Sequence, residues 1–149
     1  MMEKTMTAQC EIAAKIYKNM KMGSDSVAKL LDKVQDGSFK SAMMKQLNGY
    51  ESFAAKAKMM LSDNGEEAKE ESPMTKFWAT VGMKMNTLMD SSVSHIAEMM
   101  IEGSTMGITD TTKIINEYEG KSECADVLAL ARDIVKFEQS NIEVLKKYL

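Results

Sequence analysis

The sequence predicts an all-α protein, built as one up-down four-helix bundle over residues 1–149. Composition is the first reason: 44% of the residues are hydrophobic, 28% are charged and only 6% are aromatic. Ala, Leu, Met, Lys and Glu, which favour helices, far outnumber the β-branched residues that favour strands. The second reason is apolar residues spaced three and four apart, interrupted at Gly, Ser and Pro. A chain of 149 residues fits a single domain with one core.

Helix A is predicted from Thr5 to Val34. Gly23-Ser24-Asp25 interrupts its apolar row, so we expect either a kink there or a break into two helices. Ile12 and Ile16 drift off the main row, which hints at a second buried surface. The main row consists of Ala13, Tyr17, Met20, Ser24, Val27, Leu31 and Val34.

Helix B is predicted from Ser38 to Leu61, after a turn at Asp36-Gly37 and with Ser38 as its N-cap. Gly65 is the expected stop signal, and residues 65–72 form an acidic, solvated loop. The inward row consists of Phe39, Met43, Leu47, Tyr50, Ala54, Ala57 and Leu61.

Helix C opens at Ser72-Pro73, a strong start signal. Gly103 and Gly107 predict a kink or break, followed by a further helical piece from Thr109 to Tyr118 that Thr109-Asp110 can cap. The seam of helix C consists of Trp78, Val81, Met85, Leu88, Ser92, His95, Met99, Glu102 and Met106.

Helix D starts after Gly120 with Ser122 as its cap. Its heptad row contains one charged residue, Glu138. Since the connections look short, successive helices should lie antiparallel. The row consists of Leu128, Ala131, Val135, Glu138, Ile142, Leu145 and Leu149.

Charge and hydropathy exclude several classes of function. The net charge is −3, and Lys and Glu alternate without a basic stripe, which argues against nucleic-acid binding. No apolar run reaches the about 18 residues of a membrane span, so we expect a cytoplasmic protein. Cys10 and Cys124 lack metal-ligand spacing and are expected to be free thiols.

Methionine is unusually frequent, with 16 residues. Soft Cu(I) binding is one explanation for such a content. The pairs Met43-Met44, Met59-Met60 and Met99-Met100, however, point two ways around a helix and do not make one ligand face. Packing of an irregular core is therefore the favoured explanation.

The polar residues that interrupt the apolar rows are the candidates for chemistry. His95 and Glu102 lie two turns apart on helix C, Ser92 precedes His95, and Glu138 lies on helix D. A buried carboxylate needs a partner, a proton, a metal or a water. We therefore expect His95, Glu102 and Glu138 to converge inside the bundle, with Glu98 joining from the flank. Imidazole with carboxylates suits a single Fe, Mn or Zn ion.

Two simpler interpretations of these residues stay open. In one, His95 belongs to a structural network and bonds to Glu138 or to a tyrosine hydroxyl, Tyr17 or Tyr50. In the other, Glu102 reaches solvent near the helix break. Neither cysteine has a base nearby in sequence, so no catalytic residue is predicted and the sequence leans away from an enzyme.

The segments SVSHIAEMMIEGSTMGITD (92–110) and LALARDIVKFEQSNIEVLKKYL (128–149) resemble the later helices of bacterial proteins of the ferritin-like superfamily. The resemblance implies a four-helix bundle over most of the chain. Iron-oxidising members place a Glu on each of two helices and Glu-x-x-His on each of the other two. This chain has one histidine and only the reversed His95-x-x-Glu98. The di-iron motif is thus not intact, and the resemblance implies the fold rather than an activity.

Three functions follow as expectations. The first is a non-enzymatic ferritin-like bundle that acts by self-association, as a dimer, or by binding a partner. The alternative is a metal-binding bundle that uses His95, Glu98, Glu102 and Glu138. A third, a small-molecule or lipid binder with a Met-lined cavity, needs only a loosely packed core.

Overall fold

The computed structural model describes residues 7–61, 76–80 and 91–149, and within these ranges all regular secondary structure is helical. The predicted all-α class is therefore confirmed for the described part of the chain. A short helical stretch covers residues 76–80, and a 3-10 turn spans Ser122–Cys124. The four long helices are α1 (Ala8–Leu31), α2 (Gly37–Met59), α3 (Val93–Tyr118) and α4 (Ala125–Lys146).

Two of the predicted helix caps are wrong. Asp36, not Ser38, caps α2, because its carboxylate accepts the backbone N–H of Phe39 at 2.8 Å. Ser122 opens the 3-10 turn, and α4 begins after Cys124 without a side-chain cap. The proposed signals at Gly65 and at Ser72-Pro73 lie outside the described residues.

The predicted breaks at the glycines of helices A and C are absent, since α1 runs through Gly23 and α3 runs through Gly103 and Gly107. Gly23 faces the ring of Tyr50, where an added Cβ would lie 2.9 Å from Cδ1. Gly103 faces the ring of Trp78 even more closely. These two glycines therefore let an aromatic ring lie against the helix backbone, and they do not end the helix.

The interruption in predicted helix C lies earlier, at Ser91 and Ser92, which are not helical. Ser92 begins α3 as its N-cap, and its hydroxyl accepts the backbone N–H of His95 at 3.2 Å. The predicted place of Ser92 on an inward seam is therefore wrong, since serine here has its common capping role. The same row's Val81, Met85 and Leu88 lie outside the described residues.

The first two helices form an antiparallel hairpin. The thiol of Cys10, near the start of α1, donates to the carbonyl of Met60, just past the end of α2, at 3.9 Å. Midway along both helices, Gly23 meets Tyr50. The last two helices form a second hairpin, since α3 packs extensively on α4 after the short connection 119–124.

The two hairpins meet mainly along α2 and α4, which are also antiparallel. Tyr148, at the end of α4, shares a 2.7 Å hydrogen bond with Ser38 at the start of α2. Further along, Tyr50 of α2 bonds to Glu138 of α4. Because α4 is antiparallel to both α2 and α3, the four helices run up, down, down, up.

This order corrects the expectation that all successive helices lie antiparallel. The expectation is confirmed within each hairpin and is wrong between α2 and α3. The end of α2 and the start of α3 lie at opposite ends of the bundle, so residues 60–92 connect the two ends. Within that connection Trp78 is buried against α3, beside Gly103.

The core follows heptad rows that differ from the predicted rows by one residue in places. On α3 the buried row is Ile96, Met100, Gly103, Gly107 and Asp110. Ile12 and Ile16 are buried within the chain's own core, so they do not supply the second surface expected for a dimer. None of the described helices combines the length and the apolar character needed to cross a membrane.

Candidate functional site

The structure places the four predicted ligand residues in different surroundings. Glu138 is fully buried, with 0% of its surface exposed, which confirms its inward position. His95 is half-buried, whereas Glu98 and Glu102 are exposed. The inward position predicted for Glu102 is wrong, because the α3 seam passes through its neighbour Gly103.

The predicted ligands are therefore not gathered around one point. Among the described residues, no three His, Cys, Asp or Glu side chains lie together as metal ligands would. Both cysteines are free thiols, with Cys124 buried and Cys10 partly exposed. Metal binding at His95, Glu98, Glu102 and Glu138 stays a prediction from sequence.

Glu138 instead organises a buried polar cluster with three other helical residues. Its Oε1 accepts the hydroxyl of Tyr50 at 2.6 Å, the hydroxyl of Ser104 at 3.2 Å and the Asn141 amide at 3.3 Å. Its Oε2 is buried and has no hydrogen-bond partner among the described residues. The cluster joins α2, α3 and α4, and it differs from the expected network, since Glu138 bonds to Tyr50, Ser104 and Asn141 and not to His95.

Electrostatics make Glu138 sensitive to pH near neutrality. Burial raises the pKa of Glu138 to about 7, while the hydrogen bonds from Tyr50, Ser104 and Asn141 lower it in part. The pKa of Tyr50 is raised well above its usual value, first by burial and then by the charge of Glu138. Tyr50 therefore remains a hydrogen-bond donor while Glu138 gains or loses its proton.

A cleft of about 550 Å³ lies beside this cluster, between α2 and α4. Its walls repeat at helical spacing on both helices, so each helix contributes one face. Among these described lining residues Lys45 alone is charged, and Asn141 belongs to both the cleft and the Glu138 cluster. The lining residues are Ser38, Ser41, Ala42, Lys45, Gln46, Phe137, Ser140, Asn141, Val144 and Tyr148.

Gln46 is the unusual member of this cleft. It is only 4% exposed, and both its Nε2 and its Oε1 are buried without a hydrogen-bond partner among the described residues. Leaving a buried polar group unpaired costs about 1–3 kcal/mol. Glu138 on α4 has one unpaired oxygen, Oε2, whereas Gln46 on α2 has both amide atoms unpaired among the described residues and lies beside a cleft.

Sequence reasoning missed Gln46, Ser104 and Asn141. The predicted row of α2 included Leu47, whereas the buried row is Phe39, Met43, Gln46, Tyr50, Ala54 and Ala57. A strict heptad from Phe39 and Met43 places the next buried positions at 46 and 50. The heptad spacing therefore indicated position 46, but the predicted row took the apolar Leu47 in place of the polar Gln46.

Comparisons with known proteins found no relative of this chain. No protein-family model, no curated protein and no solved structure matches the chain.

Proposed function

We propose that this protein is a non-enzymatic bundle of ferritin-like type that acts by binding a partner, with the α2–α4 cleft as its binding site. The observation that carries the proposal is the amide of Gln46, buried beside the cleft with no partner among the described residues. Buried polar groups in native proteins are nearly always hydrogen-bonded, and an exception asks for an explanation. A ligand that pairs with this amide supplies one.

The size and lining of the cleft support the same proposal. Its volume of about 550 Å³ falls within the range of small-molecule sites. Such sites combine apolar walls with a few polar groups that fix orientation. Here Phe137, Val144 and Tyr148 provide apolar surface, while Lys45 and Gln46 provide polar groups.

The order of the helices supports the ferritin-like part of the proposal. Up-down bundles join all neighbours by short loops, whereas ferritin-like bundles contain one long crossover. In this chain α2 and α3 run in the same direction, and residues 60–92 connect opposite ends of the bundle. A long connection between opposite ends of the bundle is therefore common to both.

Self-association is a second form of this proposal. Met44 and Met59 on α2 are large apolar side chains that are 51% and 84% exposed. Flexible methionines suit adaptable contacts between helices. Sedimentation velocity at micromolar concentration tests the dimer: a faster species is expected, which Met59→Lys with Met44→Lys should convert to a monomer. The self-association proposal fails if the wild-type chain sediments as a monomer at every micromolar concentration tested.

Binding at the cleft is tested by ¹H–¹⁵N spectra of the protein with a set of small fragments of varied charge and polarity. We expect some fragments to shift amide signals of residues 38–46 and 137–148. Ser41→Trp, which fills the cleft, should abolish these shifts, whereas Ser52→Trp, exposed on the same helix outside the cleft, should keep them. The proposal fails if no fragment shifts these residues or if Ser41→Trp leaves the shifts unchanged.

A further inference from the structure

We infer that the α2–α4 cleft takes an N-acylated amino acid with an apolar side chain, whose amide pairs with Gln46 and whose carboxylate lies at Lys45. The inference rests on the proposed function, because it names the ligand class of that same cleft. Three features of the cleft carry it: an amide with both groups free, one cation, and an apolar wall.

The amide of Gln46 calls for a ligand group that both donates and accepts hydrogen bonds. Its Oε1 needs a donor and its Nε2 needs an acceptor, and both atoms are unpaired among the described residues. An anion alone would leave Oε1 unpaired, and a cation alone would leave Nε2 unpaired. A peptide-like group supplies an N–H and a C=O together, so one ligand group can satisfy both atoms.

Contact between a ligand in the cleft and the buried amide of Gln46 requires the side chain to turn toward the cleft. The side chain has three rotatable bonds, and turning it toward the cleft breaks no hydrogen bond made to the described residues. Gln46 lies between the cleft and the core, one turn from Tyr50. Pairing with a ligand therefore replaces an unsatisfied state with a satisfied one.

Lys45 gives the cleft a positive charge. The chain carries a net charge of −3, yet the described residues that line the cleft include one lysine and no carboxylate. Lys45 forms no ion pair with the described residues, since the ion pairs found there join Lys21 to Asp25 and Lys146 to Glu143. The hydroxyls of Ser41 and Ser140 also line this cleft and can donate to a carboxylate.

The apolar wall accounts for the remaining part of the ligand. Val144 is among the exposed large hydrophobic residues, and with Phe137 and Tyr148 it lines the α4 side of the cleft. A branched aliphatic side chain buried there would remove apolar surface from water. N-acetyl-leucine carries all three groups and is therefore the probe.

The experiment compares three probes on the full chain by calorimetry or by ¹H–¹⁵N titration. N-acetyl-leucine has the amide and the carboxylate, 4-methylpentanoate lacks the amide, and N-acetyl-leucinamide lacks the carboxylate. We expect N-acetyl-leucine to bind about tenfold more tightly than 4-methylpentanoate, as two hydrogen bonds to an unpaired amide allow. The advantage over N-acetyl-leucinamide should be roughly threefold, as for a solvent-exposed ion pair.

Matched variants test which residue causes each difference in affinity between probes. Gln46→Leu should abolish the preference for N-acetyl-leucine over 4-methylpentanoate, whereas Gln139→Leu, exposed on α4, should keep it. Lys45→Gln should abolish the preference for N-acetyl-leucine over N-acetyl-leucinamide. Lys40→Gln, exposed on α2 but not lining the cleft, should keep that preference.

The outcomes separate this inference from the proposed function. If N-acetyl-leucine fails to bind while other fragments shift the cleft residues, the ligand class is wrong and the binding site stands. If N-acetyl-leucine binds equally well to Gln46→Leu and to the wild type, the role of the amide is wrong. If no probe or fragment reaches the cleft, both proposals fail.

Discussion

Two polar regions lie on the same seam between α2 and α4, and they differ in what surrounds them. Around Glu138, three donors from three helices converge on Oε1, while Oε2 has no partner among the described residues. Around Gln46, neither amide atom has a partner among the described residues. Both side chains are buried, so burial alone does not distinguish a structural polar group from a binding group. The two groups differ in that Oε1 of Glu138 accepts three hydrogen bonds, whereas neither amide atom of Gln46 is paired with a described residue. Each region therefore predicts a different response to substitution.

The largest expected effect is a change in the pH dependence of stability on Glu138→Gln. The native pKa of Glu138, about 7, lies above the usual value of 4.5. The stability that depends on its proton is thus complete below pH 4.5 and is lost as pH rises to about 7. Gln does not titrate, so the free energy of unfolding of the variant should not fall with this group. The difference in free energy of unfolding, variant minus wild type, should therefore rise by about 3 kcal/mol from pH 4 to pH 8. Urea unfolding at the two pH values measures this.

The matched control for this substitution is Glu102→Gln on α3. Glu102 is exposed, so its substitution should change the free energy of unfolding by less than about 0.5 kcal/mol at both pH values. A wild-type stability that is flat from pH 4 to pH 8 would contradict the account of Glu138.

Tyr50→Phe should destabilise the protein by about 2 kcal/mol, because a buried carboxyl loses its shortest hydrogen bond. The ring can keep its contact with Gly23. Because the Tyr50 hydrogen bond lowers the pKa of Glu138, its removal should raise that pKa further. Carbon-detected NMR titration of the Glu138 carboxyl follows the shift. An unchanged titration midpoint would show that the bond does not form in solution.

Gln46→Leu should act in the opposite direction and stabilise the unliganded protein by about 1 kcal/mol. The substitution removes two unpaired polar atoms from a buried position without removing a hydrogen bond to the described residues. Thermal and urea unfolding measure the effect, and the exposed Gln139→Leu should lie within about 0.5 kcal/mol of wild type. If Gln46→Leu is instead strongly destabilising, Gln46 has a structural partner and the comparison with Glu138 loses its basis.

Ser104→Ala should have the smallest effect, a loss of about 0.5–1 kcal/mol. Its hydroxyl donates to Glu138 over 3.2 Å, compared with 2.6 Å for Tyr50, and alanine is a good helix former. The pKa of Glu138 should rise by less than in Tyr50→Phe. A larger rise in Ser104→Ala than in Tyr50→Phe would reverse the order of the two donors.

Most of the helices could be predicted from sequence, because apolar spacing and capping residues act locally. The glycines were misleading, because Gly23 and Gly103 adjoin aromatic rings that only the packed structure brings there. The direction of α3 was also not predictable, since it depends on the end of the bundle at which the connection 60–92 reaches α3. The break at Ser92 had a signal, a serine before an apolar helix, that the continuous row obscured.

The candidate site was predictable only in part. A charged residue on a heptad row identified Glu138 and predicted its burial, whereas its bond to Tyr50 was not predicted. Glu102 was misplaced because a one-residue error in register moves a side chain from the core to the surface. Gln46 needed both the right register and knowledge of its neighbours. An unpaired amide is a property of packing, which a sequence pattern does not contain.

The bond between Tyr50 and Glu138 joins the two helical hairpins at a group whose proton occupancy changes when the chain folds. Between about pH 4.5 and pH 7 the unfolded chain carries Glu138 as an anion, while the folded bundle holds it neutral. Folding in that range therefore takes up a proton from the buffer. Its measured heat should then vary with the ionisation enthalpy of the buffer chosen.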